Sequence, residues 1–181
     1  LNLEFKRLKA AEQVFHRQNE SLKALHETSL GLIDILDKEE LLESILQKAA
    51  SLTSTTHGFI YLLDQEKEQM VMKMGMGFFK SQLGRKVSPG EGVGGCAWET
   101  GKPIIVADYQ SWNNRIQDKV LDELRSIVGI PLKSGKQVMG VIALAHVETD
   151  NVFNQEDIAT LERFGALAVI ALEKSKLYAD V

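Results

Sequence analysis

The stretch that decides the fold runs from Lys86 to Tyr109 and reads KVSPGEGVGGCAWETGKPIIVADY. It holds five of the chain's 14 glycines, two of its three prolines and its single cysteine. Glycine permits positive φ angles and lets neighbouring groups approach closely. The spacing predicts a glycine-rich turn, a short helix that ends at Gly101, and a short apolar strand at 104–106. Such a segment indicates a site, or a tightly packed cover over one.

The composition narrows the class of protein. The chain has 181 residues, 44% of them hydrophobic, which suits one domain with its own core plus an appendage. A net charge of −4 does not favour nucleic-acid binding. One cysteine excludes an intrachain disulfide and fits a reducing compartment, so we predict a cytoplasmic location. No apolar run reaches the roughly 18–20 residues that span a bilayer.

The sequence of residues 1–36 predicts one long helix. Apolar residues recur in two rows at heptad spacing, a pattern that packs against a partner helix. At about 1.5 Å per residue the helix is about 54 Å long, so much of it projects beyond the domain. We expect a coiled coil in a homodimer; the alternative is a surface helix that packs on its own domain. The rows are Leu1, Leu8, Phe15 and Leu22, and Ala11, Gln18, Leu25 and Leu32, and the polar Gln18 interrupts the second row.

Residues 37–178 predict one α+β domain. Asp37 and Asn154 are candidate caps of a first and a last helix. The run 164–172 is apolar nearly all round, which predicts a helix between two layers, and 116–124 predicts a further helical run. Short turns between the strands favour an antiparallel sheet. The strands are expected at 58–63, 69–74, 104–106, 126–132 and 138–144.

This order of elements predicts a cavity on one face of the sheet. The terminal helices can pack together on the other face, which leaves the loops between 75 and 123 to cover the first. Large aromatic residues in these loops either line the cavity or fill it, and both alternatives stay open. The candidate ligand-pocket residues are Phe78, Phe79, Cys96, Asp108, Tyr109, Trp112 and Ser126.

Taken together, these motifs resemble the GAF domain family over about residues 38–175. The resemblance implies an antiparallel sheet of five or six strands with a sensory pocket on one face. Family members bind cyclic nucleotides, bilins, haem or small metabolites, or nothing known, inside larger bacterial signalling proteins. Their terminal helices commonly form dimers. The matching stretches are Pro89 to Pro103, Val106 to Asp108, Arg125 to Leu132, Met139 to Ile142, Phe153 to Leu161 and Ala171 to Glu173.

The chain departs from the ligand signatures of this family, so no cofactor is assigned. Asn114-Arg115 and Asp122-Glu123 lack the Phe of the cyclic-nucleotide signature. Cys96 does not lie where bilin-binding members place their thiol, and a single thiol cannot form the resolving disulfide of methionine sulfoxide reduction. The Gly90-x-Gly92-x-x-Gly95 pattern lacks the preceding buried parallel strand of a dinucleotide site. The four histidines are scattered, and no metal site is predicted.

Three hypotheses follow for the function. The first is a sensor that binds an unknown small molecule and relays the change through dimeric terminal helices to an output domain outside this sequence, a kinase, cyclase or transcription activator. The second is a ligand-free dimerisation and relay module, which a tightly filled cavity would favour. The third is a thiol enzyme centred on Cys96, which is disfavoured because no His or second Cys lies nearby. We therefore expect no enzyme activity.

Overall fold

The structure, a computed structural model, describes residues 2–13 and 38–179. Residues 2–13 are helical with exposed side chains, including Leu3, Phe5 and Leu8. The remainder of the predicted helix, and the predicted cap at Asp37, lie outside the described residues. Pairing of this helix with a second chain therefore stays a prediction.

The described domain contains three α-helices, six strands and three short 3₁₀ segments. The helices are α1 (Lys38–Leu52), α2 (Gly92–Thr100) and α3 (Gln155–Ala179). The strands are β1 (His57–Asp64), β2 (Gln69–Met76), β3 (Lys86–Val87), β4 (Ile104–Val106), β5 (Ser126–Ser134) and β6 (Gln137–His146). The 3₁₀ segments are Gly77–Gln82, Tyr109–Ser111 and Lys119–Leu121.

The six strands form one sheet in the order β3-β2-β1-β6-β5-β4. Every neighbouring pair is antiparallel. The tight turn between β5 and β6 places Gly135 at φ 62°, a left-handed conformation that glycine adopts without strain. The predicted α+β fold with an antiparallel sheet of five or six strands is confirmed.

The predicted helical run at 116–124 is wrong, because only the 3₁₀ segment Lys119–Leu121 forms there. The backbone of this stretch makes other hydrogen bonds. The N–H of Ile116 donates to the hydroxyl of Tyr109 at 2.9 Å, and the side chain of Asp118 caps the 3₁₀ turn. Such local side-chain bonds compete with helix formation.

Helices α1 and α3 pack together on one face of the sheet. The alternation of strand residues sends Ile60, Val128 and Ile142 to this face, where they meet the apolar stripe of each helix. The order of elements therefore correctly predicted that the terminal helices pack together on one face of the sheet. The buried residues of this layer include Leu42, Ile45, Leu46, Ile60, Val128, Ile142, Leu144 and Leu161.

Helix α3 begins with the predicted cap. The side-chain oxygen of Asn154 accepts from the N–H of Asp157 at 2.8 Å, and the Asp157 carboxylate accepts from the N–H of Asn154 at 3.0 Å. The prediction that residues 164–172 lie between two layers is wrong for a single copy of the chain. Leu167 and Ile170 are 39% and 40% exposed, because α1 and the sheet cover only one side of the helix.

Helix α2 covers the other face of the sheet at unusually close range. A Cβ on Gly94 would lie 2.9 Å from the ring of Tyr61, and a Cβ on Gly129 would overlap the side chain of Val93. Glycine at these two positions therefore lets the helix touch the strands. The helix ends, as predicted, at Gly101 with φ 65°.

We predict opposite effects for the same substitution at two helical glycines. In Gly95→Ala the new methyl group overlaps the carbonyl oxygen of Ser88, so the free energy of unfolding falls by about 1–3 kcal/mol despite the higher helix propensity of alanine. In Gly165→Ala the methyl group meets Ile130 and Leu132 at 3.5 Å, an ordinary contact. That variant gains up to about 1 kcal/mol. Urea denaturation measures both, and equal effects would contradict the close approach at Gly95.

Candidate ligand pocket

A cavity of about 20 Å³ lies between the sheet and the segments that cover it. The covering segments are the 3₁₀ segment Gly77–Gln82, helix α2, and residues 107–125 between β4 and β5, named here the covering loop. The walls are mostly apolar. They are formed by Phe59, Tyr61, Met72, Phe79, Gln82, Arg85, Val93, Gly94, Tyr109, Ile116, Leu121, Leu124 and Ile127.

Two of the seven residues predicted from the sequence line this cavity, and two more support its walls. Phe79 and Tyr109 are in the lining. The ring of Phe78 packs edge-on against Phe79 at 5.2 Å, and the ring of Trp112 lies 5.9 Å from that of Tyr109. The N–H of Phe78 also donates to Nδ1 of His57 at 2.9 Å, which anchors the 3₁₀ segment to β1.

The other three predicted residues are not part of the lining. Asp108 is exposed at the start of the covering loop. Ser126 alternates with Ile127 along β5, so its hydroxyl is on the opposite side of the strand and donates to the backbone of Asn151 at 2.8 Å. Cys96 is 8% exposed, and its sulfur contacts the carbonyl of Gly90 rather than the cavity.

Sequence reasoning missed the polar residues of the wall, which are Tyr61, Gln82 and Arg85. Tyr61 could have been found, because alternation along β1 places it on the same face as Phe59. The pairing of β1 with β2 shifts between Ile60 and Tyr61, so a β-bulge lies beside the tyrosine. Nothing in the sequence points Gln82 and Arg85 inward, since they lie in an irregular connection.

Arg85 provides a positive charge at one end of the cavity. Its Nη2 lies 2.7 Å from Oδ2 of Asp118 in the covering loop. Its Nε and Nη2 also donate to Oε1 of Gln82, at 3.0 and 2.6 Å. The hydrogen bond from Arg85, together with one from a backbone N–H, holds the pKa of the Asp118 carboxyl below its usual range.

Two tyrosine hydroxyls share this end of the cavity. The hydroxyl of Tyr109 accepts from the N–H of Ile116 at 2.9 Å and keeps its own proton to donate. The hydroxyl of Tyr61 makes no hydrogen bond to another described residue. Burial raises the pKa of both groups, an effect that the charge of Arg85 only partly offsets. Both remain O–H donors at neutral pH.

The cavity is nearly filled by the protein's own side chains. A volume of about 20 Å³ holds about one water molecule, whereas small-molecule sites measure about 300–1,000 Å³. The ring of Phe59 packs edge-on against two other wall residues, 5.1 Å from the ring of Tyr61 and 4.7 Å from that of Phe79. By volume alone, this favours the ligand-free alternative. A ligand can enter only if the covering loop moves.

Residues 2–13 and 38–179 contain neither a metal-type cluster nor a helix that could span a membrane. Within these ranges, no group of three or more His, Cys, Asp or Glu side chains is arranged to hold a metal ion. The described helices are also too short or too polar to cross a membrane.

The family model for the GAF domain matches residues 36–173, and the chain belongs to this family. The Nif-specific regulatory protein of Herbaspirillum seropedicae is 27% identical over 135 residues, which cover 70% of this chain. The same alignment covers 24% of that protein, so this chain spans about a quarter of its relative's length. The chain is therefore similar to one part of a larger regulator.

Solved structures at low identity show the same fold. The GAF domain of a phosphoenolpyruvate-protein phosphotransferase from Coxiella burnetii superposes with a TM-score of 0.73 at 17% identity, covering 88% of this chain and 96% of that one. A free methionine-R-sulfoxide reductase from Neisseria meningitidis, in complex with its substrate, gives a TM-score of 0.57 at 19% identity, covering 86% and 92%. A GAF domain of a phosphotransferase and a sulfoxide reductase thus share this architecture.

We predict that Cys96 reacts slowly. Burial, followed by the nearby Glu99 carboxylate, raises the pKa of its thiol, so the reactive thiolate forms only in alkaline solution. Alkylation by iodoacetamide at pH 7.5 should be at least about tenfold slower in the native protein than in the same chain unfolded in urea. Mass spectrometry measures both rates. A native rate equal to or above the unfolded rate would instead indicate an activated thiol.

Proposed function

We propose that this chain is the sensor module of a larger regulatory protein, and that it binds a small molecule between the sheet and the covering loop. The observation that carries the proposal is the polar end of the cavity, where Arg85 and two tyrosine hydroxyls interrupt an apolar wall. The hydroxyl of Tyr61 makes no hydrogen bond to another described residue, so it is free to donate to a ligand.

The sheet offers a short route from the cavity to the terminal helices. Tyr61 faces the cavity, while its neighbour Ile60 packs in the layer formed by α1 and α3. A ligand that binds one arrangement of β1 better than another shifts the balance between the two. The change then reaches α3, whose Leu167 and Ile170 are exposed on the outer face and suit a second copy of the chain.

The same proposal extends to the parent protein, its oligomeric state and its location in the cell. We place an output domain, a kinase, cyclase or transcription activator, elsewhere in the parent protein, because this chain corresponds to 24% of its regulatory relative. We propose a homodimer through the terminal helices and a cytoplasmic location, in line with the single cysteine. We assign no enzymatic activity, since Cys96 is buried and outside the cavity lining.

The second candidate is a ligand-free dimerisation and relay module. The specific observation in its favour is the small volume of the cavity, about 20 Å³. On this alternative the aromatic side chains are a permanent core, and signals pass only through the helices. The two candidates differ in whether any small molecule stabilises the domain.

Removal of one hydroxyl separates these candidates. We expect a fraction of a small-molecule cell extract to raise the melting temperature of the wild-type protein. At a hundredfold excess over Kd, a ligand adds about 2.7 kcal/mol to the free energy of unfolding. Tyr61→Phe keeps the ring that packs under Gly94 but should lose most of this response. The control is Ser126→Ala, which removes a hydroxyl on the opposite side of the sheet and should respond like wild type. Differential scanning fluorimetry measures all three proteins.

Two outcomes would count against the sensor proposal. If no fraction stabilises the wild-type protein, the ligand-free relay becomes the better account. If Tyr61→Phe and Ser126→Ala respond equally to an active fraction, the ligand binds somewhere other than this cavity.

A further inference from the structure

The ion pair between Arg85 and Asp118 joins the wall of the cavity to the covering loop. Arg85 immediately precedes β3, and Asp118 lies 33 residues further along the chain. The two side chains are 20% and 36% exposed, so the pair lies at the rim of the cavity. The charge that faces the cavity is therefore the same charge that holds the covering loop in place.

The cavity end beside Arg85 has more hydrogen-bond donors than acceptors. The donors are its guanidinium and the O–H groups of Tyr61 and Tyr109. The side-chain carbonyl of Gln82 already accepts two bonds from Arg85. A guanidinium fork with neighbouring O–H donors matches the oxygens of a carboxylate. In the structure, the carboxylate of Asp118 accepts from the guanidinium member of this set.

The other charges around this end do not change its character. Glu91 acts on Tyr61 from the start of α2, but its carboxylate accepts from the backbone N–H of Ser88 at 3.2 Å in an exposed position. Arg115, in the covering loop, adds a second positive charge close to Tyr109. Arg85 is thus the charged group that acts on both hydroxyls.

We propose that Asp118 takes the place of a ligand carboxylate, so that a small carboxylate binds Arg85 and the tyrosine hydroxyls by displacing Asp118 and releasing the covering loop. This inference rests on the proposed sensor function and names its ligand class and its switch. Because the group that Arg85 now holds is itself a carboxylate, the ligand is a small carboxylate with an apolar body that suits the aromatic wall.

The small cavity makes ligand binding and loop release one event. A volume of about 20 Å³ admits no ligand while the covering loop stays where it is. Partly exposed ion pairs contribute little to stability. A ligand carboxylate that gains the tyrosine hydroxyls as well can therefore replace Asp118. The covering loop then loses its charged contact with the wall of the cavity.

The first test compares matched carboxylate-to-amide variants of the covering loop. Asp118→Asn removes the competing charge but keeps a side chain that can cap the 3₁₀ turn. Asp122→Asn makes the same change of charge four residues away, at an exposed carboxylate. The probes are monocarboxylates from propionate to benzoate, each paired with its neutral amide. Ligand-observed NMR titrations measure binding to each protein.

We expect Asp118→Asn to bind at least one carboxylate probe about fivefold more tightly than wild type does. Asp122→Asn should match wild type, and the amides should gain nothing in any variant. Arg85→Gln should lose binding of the carboxylates. Equal affinity of Asp118→Asn and Asp122→Asn for every carboxylate would overturn the displacement. An equal gain for the amides would show that the substitution only loosens the loop, which also overturns it.

A second measurement needs no substitution. The N–H of Val120 donates to Oδ1 of Asp118 at 3.1 Å, and this bond is lost if the carboxylate swings away. Saturating carboxylate probe should therefore speed hydrogen exchange at Val120 in the wild-type protein, while amides in α1 exchange at their former rate. Unchanged or slower exchange at Val120 with bound probe would overturn the inference.

The failure of this inference is distinct from failure of the sensor proposal. If an extract fraction stabilises wild type through Tyr61 but no carboxylate probe binds any variant, the carboxylate class is wrong and the sensor function stands. If neither extract nor probes bind, both fail.

Discussion

The central sheet is apolar on both faces, and the rest of the structure depends on covering it twice. Strands β5 and β6 send Val128 and Ile142 to one side and Ile127 and Val141 to the other. A sheet buried on both faces needs a layer on each. The two ends of the domain provide one layer as α1 and α3. The second has to come from the middle of the chain.

That second layer contains little regular secondary structure, and the candidate site lies beneath its irregular segments. Helix α2 has only nine residues and reaches the strands through its glycines. The remainder of the cover is a loop and 3₁₀ turns, whose backbone needs polar partners. The Tyr109 hydroxyl and Asp118 meet that need from within the loop, and Arg85 ties it to the wall. The groups that hold the cover are thus the polar groups of the cavity.

The fold was largely predictable from local patterns, whereas much of the candidate site was not. The caps of α3, the end of α2 at Gly101 and the β5–β6 turn each depend on neighbouring residues, so the sequence shows them directly. The Arg85–Asp118 pair spans 33 residues without any periodic pattern. Ser126 was predicted to line the pocket, but its side chain is on the other face of the sheet. That orientation depends on strand pairing along the whole sheet, which local sequence patterns do not show.

The central claim is that a small molecule supplied by the cell binds between the sheet and the covering loop. Native mass spectrometry of the protein purified from cells, followed by the same sample denatured, tests it most directly. The sensor account predicts a dimer with an added small mass that disappears on denaturation. A dimer or monomer with no added mass would contradict it, and a bare dimer would favour the ligand-free relay. A bare monomer would also show that the exposed face of α3 does not pair two chains.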